Sequence, residues 1–285
     1  VFTSDEQLKY FTLTPELLSW IKEIDGVTNK VCFILLFGYS KACLRFYQPA
    51  QFYDHDIKYV CQSYKFDTRK ISLKKYNQRT FNYHKQIIRK QINLYRFDKN
   101  EKNLFLESIN DRVHRHYSPK QIFLEVFEIL KKKRIEIPGY NYFSLNITQR
   151  IIDYEKKLFQ LVEFFLIQEH KNVLDEIIKS HEDDYSKVSQ LKNISHSKRP
   201  KEIKENVSDF KLIGKIYQKI KPLFQELNLH TDTIKHYATW VKKASLFQIN
   251  QLQQNKRYLY LICFIVHQYQ LRQDIFADIL LSSVQ

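Results

Sequence analysis

The chain has 285 residues, of which 44% are hydrophobic and 15% aromatic, and it carries a formal net charge of +15. This apolar content is sufficient for a large buried core and excludes disorder along the whole chain. The 4 Gly and 6 Pro are too few for the closely spaced turns of a β-sandwich, barrel or propeller. The composition therefore predicts an all-α protein, built from several small helix-turn-helix-like units in series with a helical C-terminal segment.

The apolar runs and the cysteines argue against a membrane or secreted protein. The longest apolar runs, 31–39 and 258–266, have about half the length that a transmembrane helix needs, and no signal-peptide pattern is present. Cys32, Cys43, Cys61 and Cys263 show no CxxC or Cys/His ligand spacing. We therefore expect a cytoplasmic protein with reduced thiols, no membrane partner and no metal site.

Three helices are predicted in the first unit, residues 1–66. Thr14-Pro15-Glu16 is typical of a helix start, with a hydroxyl N-cap and Pro at the first helical position. The apolar period then predicts a long, mostly buried helix from Asn29 to Phe46 and a third from Asp54 to Tyr64. Three helices with tight connections indicate a helix-turn-helix-like unit.

A second, basic DNA-binding unit is predicted at residues 67–150, and two further segments follow it. The expected helices of the second unit are 78–93, 99–116 and 119–133, the last with Ser118 as N-cap. Residues 135–139 are interpreted as a turn or a short extended arm. Residues 151–200 are expected to form a long helix and a polar linker, with 181–204 as the linker candidate. Residues 201–285 are expected to form a C-terminal helical unit, in which 258–269 and 274–284 are the most apolar helices.

The positive charge is concentrated in one quarter of the chain. Residues 67–134 contain 18 Lys and Arg against 7 Asp and Glu, a net charge of +11. Such a concentration is typical of a surface that binds a polyanion, because each neutralised phosphate releases counterions. A solvated basic face that serves only solubility is the alternative, but the interleaved aromatic and amide residues favour nucleic acid.

Polar and apolar residues separate onto two faces of the helix predicted at 78–93. At 100° per residue, one arc of about 100° contains Asn82, Lys85, Gln86, Arg89 and Asn93. The apolar arc contains Phe81, His84, Ile88, Ile92 and Tyr95. Amide and guanidinium groups pair with adenine and guanine edges in the major groove, so the polar arc is expected to read bases. An ordinary amphipathic surface helix is the alternative, and if Asn93 caps the helix in a left-handed conformation, Arg96 lies beyond it.

Other basic and polar residues are expected to hold the DNA backbone. The run 131–134 ends a predicted helix, where interaction with the helix dipole is the competing interpretation. The following helix would bring Asn141, Tyr142 and Arg150 to DNA near its N-terminus, and the lysines before the helix at 78–93 are interpreted as phosphate contacts or as part of a solvated loop. The predicted DNA-binding set is Lys70, Lys74, Lys75, Arg79, Asn82, Lys85, Gln86, Arg89, Lys90, Lys131, Lys132, Lys133, Arg134, Asn141, Tyr142 and Arg150.

No catalytic residues are predicted in this chain. It has no phosphate-binding Gly loop, no HExxH and no GxSxG motif. His114 and His116 are interpreted as surface or DNA-facing groups. The acidic run Glu182-Asp183-Asp184 is interpreted as solvated, with a divalent-ion site as the alternative. We therefore expect no cofactor and no metal in this chain.

Several short motifs occur in a characteristic order along the sequence. They are residues 11–16 (FTLTPE), Tyr76 with Arg79-Thr80, residues 84–88, residues 135–140 with Pro138-Gly139, and residues 257–278. With these motifs the chain resembles, over nearly its whole length, the N-terminal region of transposases of the Tn-three family, which move class II replicative transposons. It departs from the family at Phe81-Asn82, where a basic pair is usual, and at Asn93, where Gly is usual.

The resemblance implies a helical region that binds double-stranded DNA at the terminal inverted repeats of the element. It also implies that catalysis belongs to a later domain of RNase H-like fold, whose Asp/Asp/Glu residues hold magnesium, in a bacterial protein that acts as a homodimer. A helical adaptor that binds RNA or DNA without sequence preference is an alternative from another class. A nuclease that uses Glu182, Asp183 and Asp184 is the third hypothesis.

Overall fold

The computed structural model describes residues 2–179, 186–194 and 199–284. Within these ranges the chain forms 14 α-helices and no β-strand, which confirms the all-α prediction. In chain order the helices are α1 (Ser4–Phe11), α2 (Pro15–Glu23), α3 (Val27–Cys43), α4 (Asp54–Ser63), α5 (Gln78–Gln91), α6 (Lys99–His114), α7 (Pro119–Lys132), α8 (Tyr140–Phe165), α9 (Gln168–Ile178), α10 (Lys187–Lys192), α11 (Pro200–Leu227), α12 (Thr231–Lys243), α13 (Leu246–Asn250) and α14 (Gln254–Val284). None of these helices is long and apolar enough to cross a membrane.

The chain divides into two compact units instead of the four predicted segments. The first unit comprises Val1–Ile109 with Pro119–Ile147, and the second comprises Asn110–Ser118 with Thr148–Gln285. The predicted boundary at residue 66 lies inside the first unit because Tyr76, Phe81 and Ile88 share one hydrophobic core with the residues of α3. The predicted boundary at residue 200 lies inside the second unit because α10 and α11 contribute to the same core.

Helix α3 is the centre of the first unit. Its residues 31–40 are all buried because α1, α4 and α5 pack around it. Gly38 is required at the contact with α1, since a Cβ atom at this position would lie 2.2 Å from a ring carbon of Phe11. The helix ends three residues before the predicted Phe46, because Leu44 adopts a left-handed conformation with φ of 52°.

Several helix ends follow the sequence signals, and others use unexpected residues. The hydroxyl of Thr14 caps α2 by accepting a hydrogen bond from Leu17 N at 3.4 Å, as predicted. At five other C-termini of the described helices a residue other than Gly takes the left-handed conformation, namely Lys65, Asn93, His116, Arg134 and Asn228. Asn93 therefore caps α5, and Arg96 lies beyond the helix. This use of side-chain-bearing residues is one reason why so few Gly residues suffice.

Helix α14 is the centre of the second unit. The two apolar helices predicted at 258–269 and 274–284 are one continuous helix, and its segment 258–266 is completely buried against α11 and α12. Helix α10 and the start of α11 occupy part of the predicted linker at 181–204. The linker prediction is wrong for α10, because its Val188 and Leu191 are buried in the core. Linker residues 181–185 and 195–198 lie outside the described residues.

Arg272 joins three helices of the second unit. Its side chain is 1% exposed, yet its guanidinium donates to Gln268 Oε1 at 2.7 Å and to Leu191 O at 3.2 Å. The Asp209 carboxylate lies 3.5 Å away on α11. A buried cation is tolerated only with such partners, so Arg272 fixes α10 and α11 against α14.

Candidate nucleic-acid interface

Helix α5 is fixed in the first unit by its N-terminus and by one buried face. Asn77 is the N-cap, and its Oδ1 accepts a hydrogen bond from Thr80 N at 2.8 Å. The buried face consists of Phe81, His84 and Ile88, which pack against α3. The apolar arc predicted from the sequence is therefore the docking face, except that Tyr95 lies beyond the helix and is exposed.

His84 is a neutral residue of the hydrophobic core. Its Nδ1 lies 2.6 Å from the hydroxyl of Tyr76, and its ring meets Phe33 edge to face at 5.1 Å. Burial lowers the pKa of His84 to about 4. At neutral pH the imidazole is uncharged, and it shares this hydrogen bond with the phenol of Tyr76.

Two cations of the predicted base-reading arc are paired with Glu136. Arg89 donates to Glu136 Oε2 from Nη2 at 2.6 Å and from Nε at 3.2 Å. Lys85 Nζ lies 3.7 Å from Oε1 of the same carboxylate. Both cations also cover the ring of Phe46, with Lys85 Nζ at 5.0 Å and Arg89 Cζ at 5.1 Å from its centroid. We call Lys85, Arg89, Glu136 and Phe46 the Glu136 cluster.

The Glu136 cluster is largely withdrawn from solvent. The side chains of Arg89 and Glu136 are 16% exposed and that of Lys85 is 19% exposed. Burial lowers the pKa of Lys85, an effect that Glu136 opposes and Arg89 reinforces. Both cations remain predicted DNA-binding residues, but their head groups already have a protein partner that connects α5 to the segment after α7.

A turn or a short extended arm was predicted for residues 135–139, and residues 135–137 form the extended arm. Glu136 N donates to Tyr95 O at 2.8 Å, and Tyr95 N donates to Arg134 O at 2.8 Å. Ile137 N donates to Leu44 O at 2.8 Å on the other side. These bonds, together with burial of Ile135 and Ile137, hold the Glu136 carboxylate in position against α5.

A second face of α5 is open to solvent. All its members are exposed and lie within an arc of about 100°, and we call Arg79, Asn82, Tyr83, Gln86 and Lys90 the exposed face of α5. The side-chain amide of Asn82 accepts a bond from Gln78 Nε2 at 3.2 Å. Within the described parts of the chain, the side chains of Arg79, Gln86 and Lys90 form no hydrogen bond or ion pair. These groups are therefore available to a ligand.

The basic run at the end of α7 is divided between solvent and structure. Lys132 and Lys133 are exposed, and Lys131 forms an exposed pair with Glu128 at 3.4 Å. The guanidinium of Arg134 instead donates through Nε to Ile92 O at 3.1 Å and to Asn93 O at 3.3 Å. Arg134 thus caps the C-terminus of α5, where a cation is favoured by the unsatisfied carbonyl groups.

The lysines before α5 lie in short 3-10 turns with a fixed backbone. Lys70 ends the turn Thr68–Lys70, and Lys74 and Lys75 end the turn Leu73–Lys75; all three side chains are exposed. The hydroxyl of Thr28 on α3 donates to Lys70 O at 3.4 Å and accepts from Ser72 N at 3.0 Å. The turns are therefore anchored while the ammonium groups remain free to meet phosphates.

The remaining predicted residues are distributed over both units. Asn141 is exposed at the start of α8. Tyr142 is 38% exposed, and its ring stacks on Phe105 with centroids 5.8 Å apart. Arg150 is half-buried and belongs to the second unit, so the predicted set does not lie within one compact unit.

The histidines interpreted as surface groups have different environments. His114 is exposed, with its ring 4.8 Å from that of Tyr154. His116 is half-buried and its ring centroid lies 3.7 Å from that of His236. Burial and the neighbouring His236 lower the pKa of His116 to about 4, so at neutral pH it contributes packing, not charge.

Three residues of this region were absent from the predicted set. Tyr83 adds an exposed aromatic ring to the exposed face of α5, and its position at 100° from Asn82 was readable from the helical period. Phe46 and Glu136 were not identifiable, because only the fold brings them to α5 from distant parts of the sequence. An acidic residue inside a basic region was the one available signal for Glu136.

No metal or thiol chemistry is assembled in the described residues. Their His, Cys, Asp and Glu side chains form no group of three that is arranged to hold a metal ion, and all four cysteines are free. Glu182, Asp183 and Asp184, the alternative divalent-ion site, lie outside the described residues.

Comparison with known families identifies the N-terminal half of the chain. Residues 1–149 match the family described as a domain of unknown function, DUF4158. Because the match covers more than half of the 285 residues, the chain belongs to this family. The matched range includes α5, the Glu136 cluster and the exposed face of α5. No curated protein matches the chain.

Proposed function

We propose that the chain is the DNA-binding portion of a replicative-transposon transposase of the Tn-three type. In this proposal it recognises the terminal inverted repeats and positions them for a DDE-type, magnesium-dependent catalytic domain in another part of a homodimeric full-length protein. The order of the short sequence motifs supports the assignment to this kind of transposase. The exposed face of α5 supports sequence-specific DNA binding, and it is the observation that carries the proposal.

The exposed face of α5 has the chemistry of direct base readout. Asn82 and Gln86 offer a donor and an acceptor on each amide, which is the pattern that pairs with the N6 and N7 edge of adenine. Arg79 and Lys90 supply the donors that pair with guanine O6 and N7 or with phosphate. An α-helix with one buried face and one polar exposed face fits the width of the major groove.

The contacts in the structure change which residues we assign to reading bases and which we assign to positioning α5. Arg89 and Lys85 are paired with Glu136, so we assign them to positioning α5 on the arm at 135–137. Lys70, Lys74 and Lys75 are exposed on anchored turns, so we assign them to phosphate contacts. Phosphate contacts fix the register of a protein on DNA, whereas base contacts specify the sequence.

A selection from a random duplex library tests the proposal and requires no assumption about the repeat sequence. We expect one sequence to be enriched and to occur, inverted, at both ends of the element that carries the gene. Binding of that sequence should exceed binding of its shuffled form by about 1,000-fold at physiological salt. Failure to enrich any duplex sequence would contradict the proposal, and equal binding of single-stranded RNA would favour the generic nucleic-acid adaptor.

The salt dependence of binding provides a matched control within the same experiment. Lys75→Ala should weaken the selected and the shuffled duplex alike and reduce the salt slope by about 1. Lys58→Ala removes an exposed lysine from α4, outside the proposed interface. This variant should change neither the binding of the two duplexes nor the salt slope. If the Lys75 variant bound DNA like the Lys58 variant, the turn at 73–75 would not belong to the interface.

A further inference from the structure

Helix α11 of the second unit has one exposed face that consists almost entirely of lysine. At 100° per residue these side chains fall within an arc of about 80°, and we call Lys201, Lys204, Lys211, Lys215 and Lys219 the lysine face of α11. With a rise of 1.5 Å per residue, the face is about 27 Å long. Between residues 201 and 219 the arc contains one further residue, Ser208, which is exposed and uncharged.

The acidic residues of α11 do not neutralise this face. Asp209 lies on the inner side of the helix, where its carboxylate is 3.5 Å from the buried Arg272. Glu205 is exposed at the edge of the face, 100° from Lys204, and Glu226 is in the last turn of the helix. Within the described ranges of the chain, none of the five lysines forms a hydrogen bond or an ion pair, so all five ammonium groups are available to a ligand.

The spacing of these lysines is unfavourable in the free chain. Lys211, Lys215 and Lys219 follow one another at intervals of four residues, at which like charges on a helix repel each other. Elsewhere in the second unit an exposed lysine has an acidic neighbour on its own helix, as Lys179 has in Glu176 at 3.7 Å. A polyanion laid along the lysine face would remove the repulsion, so the face is complementary to an extended array of negative charge.

The rest of α11 leaves neither a ring for base stacking nor an apolar face for a bilayer. Phe210 and Tyr217 both stack on Tyr269, with centroids 5.4 and 4.2 Å apart, and Phe224 packs against the core. The aliphatic residues on the opposite side of the helix are buried in that core: Ile213, Ile216, Ile220, Leu223 and Leu227. Single-stranded nucleic acids are bound largely through stacking, and interfacial membrane helices insert an apolar face. Both partners therefore fit the lysine face less well than duplex DNA does.

We propose that the lysine face of α11 is a second DNA-binding surface, which contacts the phosphate backbone of a duplex without reading its sequence. Duplex DNA is a stiff, linear polyanion with one charge per about 1.7 Å of its axis, which matches a straight row of cations. Lysine binds phosphate as a point charge on a flexible stem. The choice of DNA as the partner rests on the function proposed above. The tests use a duplex of shuffled sequence, so that failure of this surface is distinguishable from failure of base reading by α5.

Acetylation of lysine side chains by a water-soluble succinimidyl ester, read by mass spectrometry, locates the duplex on the wild-type chain. At a shuffled-duplex concentration well above the dissociation constant, modification of Lys211, Lys215 and Lys219 should fall by at least about threefold. Lys156 and Lys157, which are exposed on α8 in the same unit, should be modified as in the free chain. Undiminished modification of the lysine face would overturn the proposal.

The triple variant Lys211→Gln/Lys215→Gln/Lys219→Gln removes three charges and keeps good helix formers. With the shuffled duplex, its plot of log K against log salt should be shallower by about 2–3, and its affinity at low salt should be at least about tenfold weaker. The corresponding Lys→Arg triple variant should bind like the wild type, because the charges are retained.

The matched control is Lys156→Gln/Lys157→Gln/Lys243→Gln, which removes the same charge from other exposed positions of the second unit. Its salt slope should change by less than about 1. Equal slopes for the two glutamine triple variants would show that only the overall charge matters and would overturn the proposal.

Two further readouts separate this surface from the base-reading face and from other partners. The ratio of the dissociation constants for shuffled and selected duplex should be the same in the wild type and in the Lys211/Lys215/Lys219 glutamine variant, because phosphate contacts carry no sequence information. If no duplex sequence is selected at all, base reading by α5 fails while the salt slopes still decide the role of α11. Tighter binding of single-stranded DNA, or of vesicles with about one-third phosphatidylserine, than of duplex would overturn the assignment to duplex DNA.

Discussion

Arg89 and Glu136 lie 47 positions apart in the sequence and share two hydrogen bonds, the shorter of 2.6 Å. The guanidinium that the helical pattern assigned to base reading thus connects α5 to the extended arm at 135–137. Lys85 contacts the same carboxylate, and Phe46 lies beneath both cations. The cluster therefore connects α5 to the arm, in addition to the contacts of its buried face with α3.

Removal of either member of the Arg89–Glu136 pair should destabilise the first unit. Arg89→Ala and Glu136→Ala should each lower the free energy of unfolding by about 1–3 kcal/mol, because a partly buried charged group loses its partner. The double variant should lose less than the sum of the two, with a coupling energy of about 1 kcal/mol. Lys90→Ala, at the neighbouring exposed position, should change stability by less than about 0.5 kcal/mol. Denaturant unfolding measures all four, and equal stability of the Arg89 and Lys90 variants would contradict the structural role of the pair.

The two units can be followed separately, because Trp20 lies in the first unit and Trp240 in the second. Trp240→Phe leaves a reporter in the first unit, and Trp20→Phe leaves one in the second. The following predictions use these two backgrounds, since a chain of two units need not unfold in a single transition.

Arg272→Met should destabilise the second unit by about 3–5 kcal/mol, because the partly buried Asp209 carboxylate loses its cation. Addition of Asp209→Asn should recover part of this loss. Gln273→Ala, at the next and exposed position, is the control and should be nearly neutral. Trp240 fluorescence in denaturant reads the result. A neutral Arg272→Met variant would show that the buried ion pair does not hold α10 and α11 against α14.

Acidification should destabilise the first unit through His84. The folded pKa of this residue is about 4, below the unfolded value of about 6.5. Between these two pH values the unfolded chain binds a proton that the folded chain does not. The contribution of His84 to the free energy of unfolding is therefore fully present above pH 6.5 and is lost as the pH falls to 4, a loss of about 3 kcal/mol. Trp20, whose ring lies 5.9 Å from His84, reports the unfolding. His84→Gln should flatten the dependence of stability on pH, whereas an unchanged slope in that variant would assign the effect to other groups.

Lys65→Gly should stabilise the first unit by about 0.5–1 kcal/mol. Lys65 follows α4 with φ of 55°, a conformation that costs a residue with a Cβ atom more than it costs Gly. Lys58→Gly, in the middle of the same helix, should instead destabilise the unit by about 1 kcal/mol. Opposite signs for the two substitutions in thermal unfolding would support the assigned helix end. Destabilisation by both would contradict it.

The sequence predicted the helices better than their grouping. Caps such as Thr14 and apolar periods are local signals, so the bounds predicted for α3 to α7 agreed within three residues, whereas α1 and α9 to α13 were not predicted as individual helices. The units depend on contacts between distant segments, such as the burial of Ile88 against α3, and no local pattern reports these. The continuous α14 was predicted as two helices because the polar residues Gln268, Gln270, Arg272 and Gln273 interrupt the apolar run, although Gln268 and Arg272 are buried in it.

Only the local features of the candidate site were predictable from the sequence. Helical periodicity correctly separated the buried Phe81 and Ile88 from the exposed Asn82 and Gln86. It did not distinguish the free cation Lys90 from the paired cation Arg89, because the pairing depends on a carboxylate from another segment. Charge density therefore indicated the region, whereas only the fold separates the cations that support α5 from those that face solvent.

The ratio of the dissociation constants for shuffled and selected duplex, measured for the double variant Asn82→Ala/Gln86→Ala, tests the central claim most directly. Each base contact is worth about 1–3 kcal/mol of discrimination, so the ratio should fall by at least about 30-fold while binding of the shuffled duplex is retained. A double variant that folds normally and keeps the wild-type ratio would contradict the claim that the exposed face of α5 reads the DNA sequence.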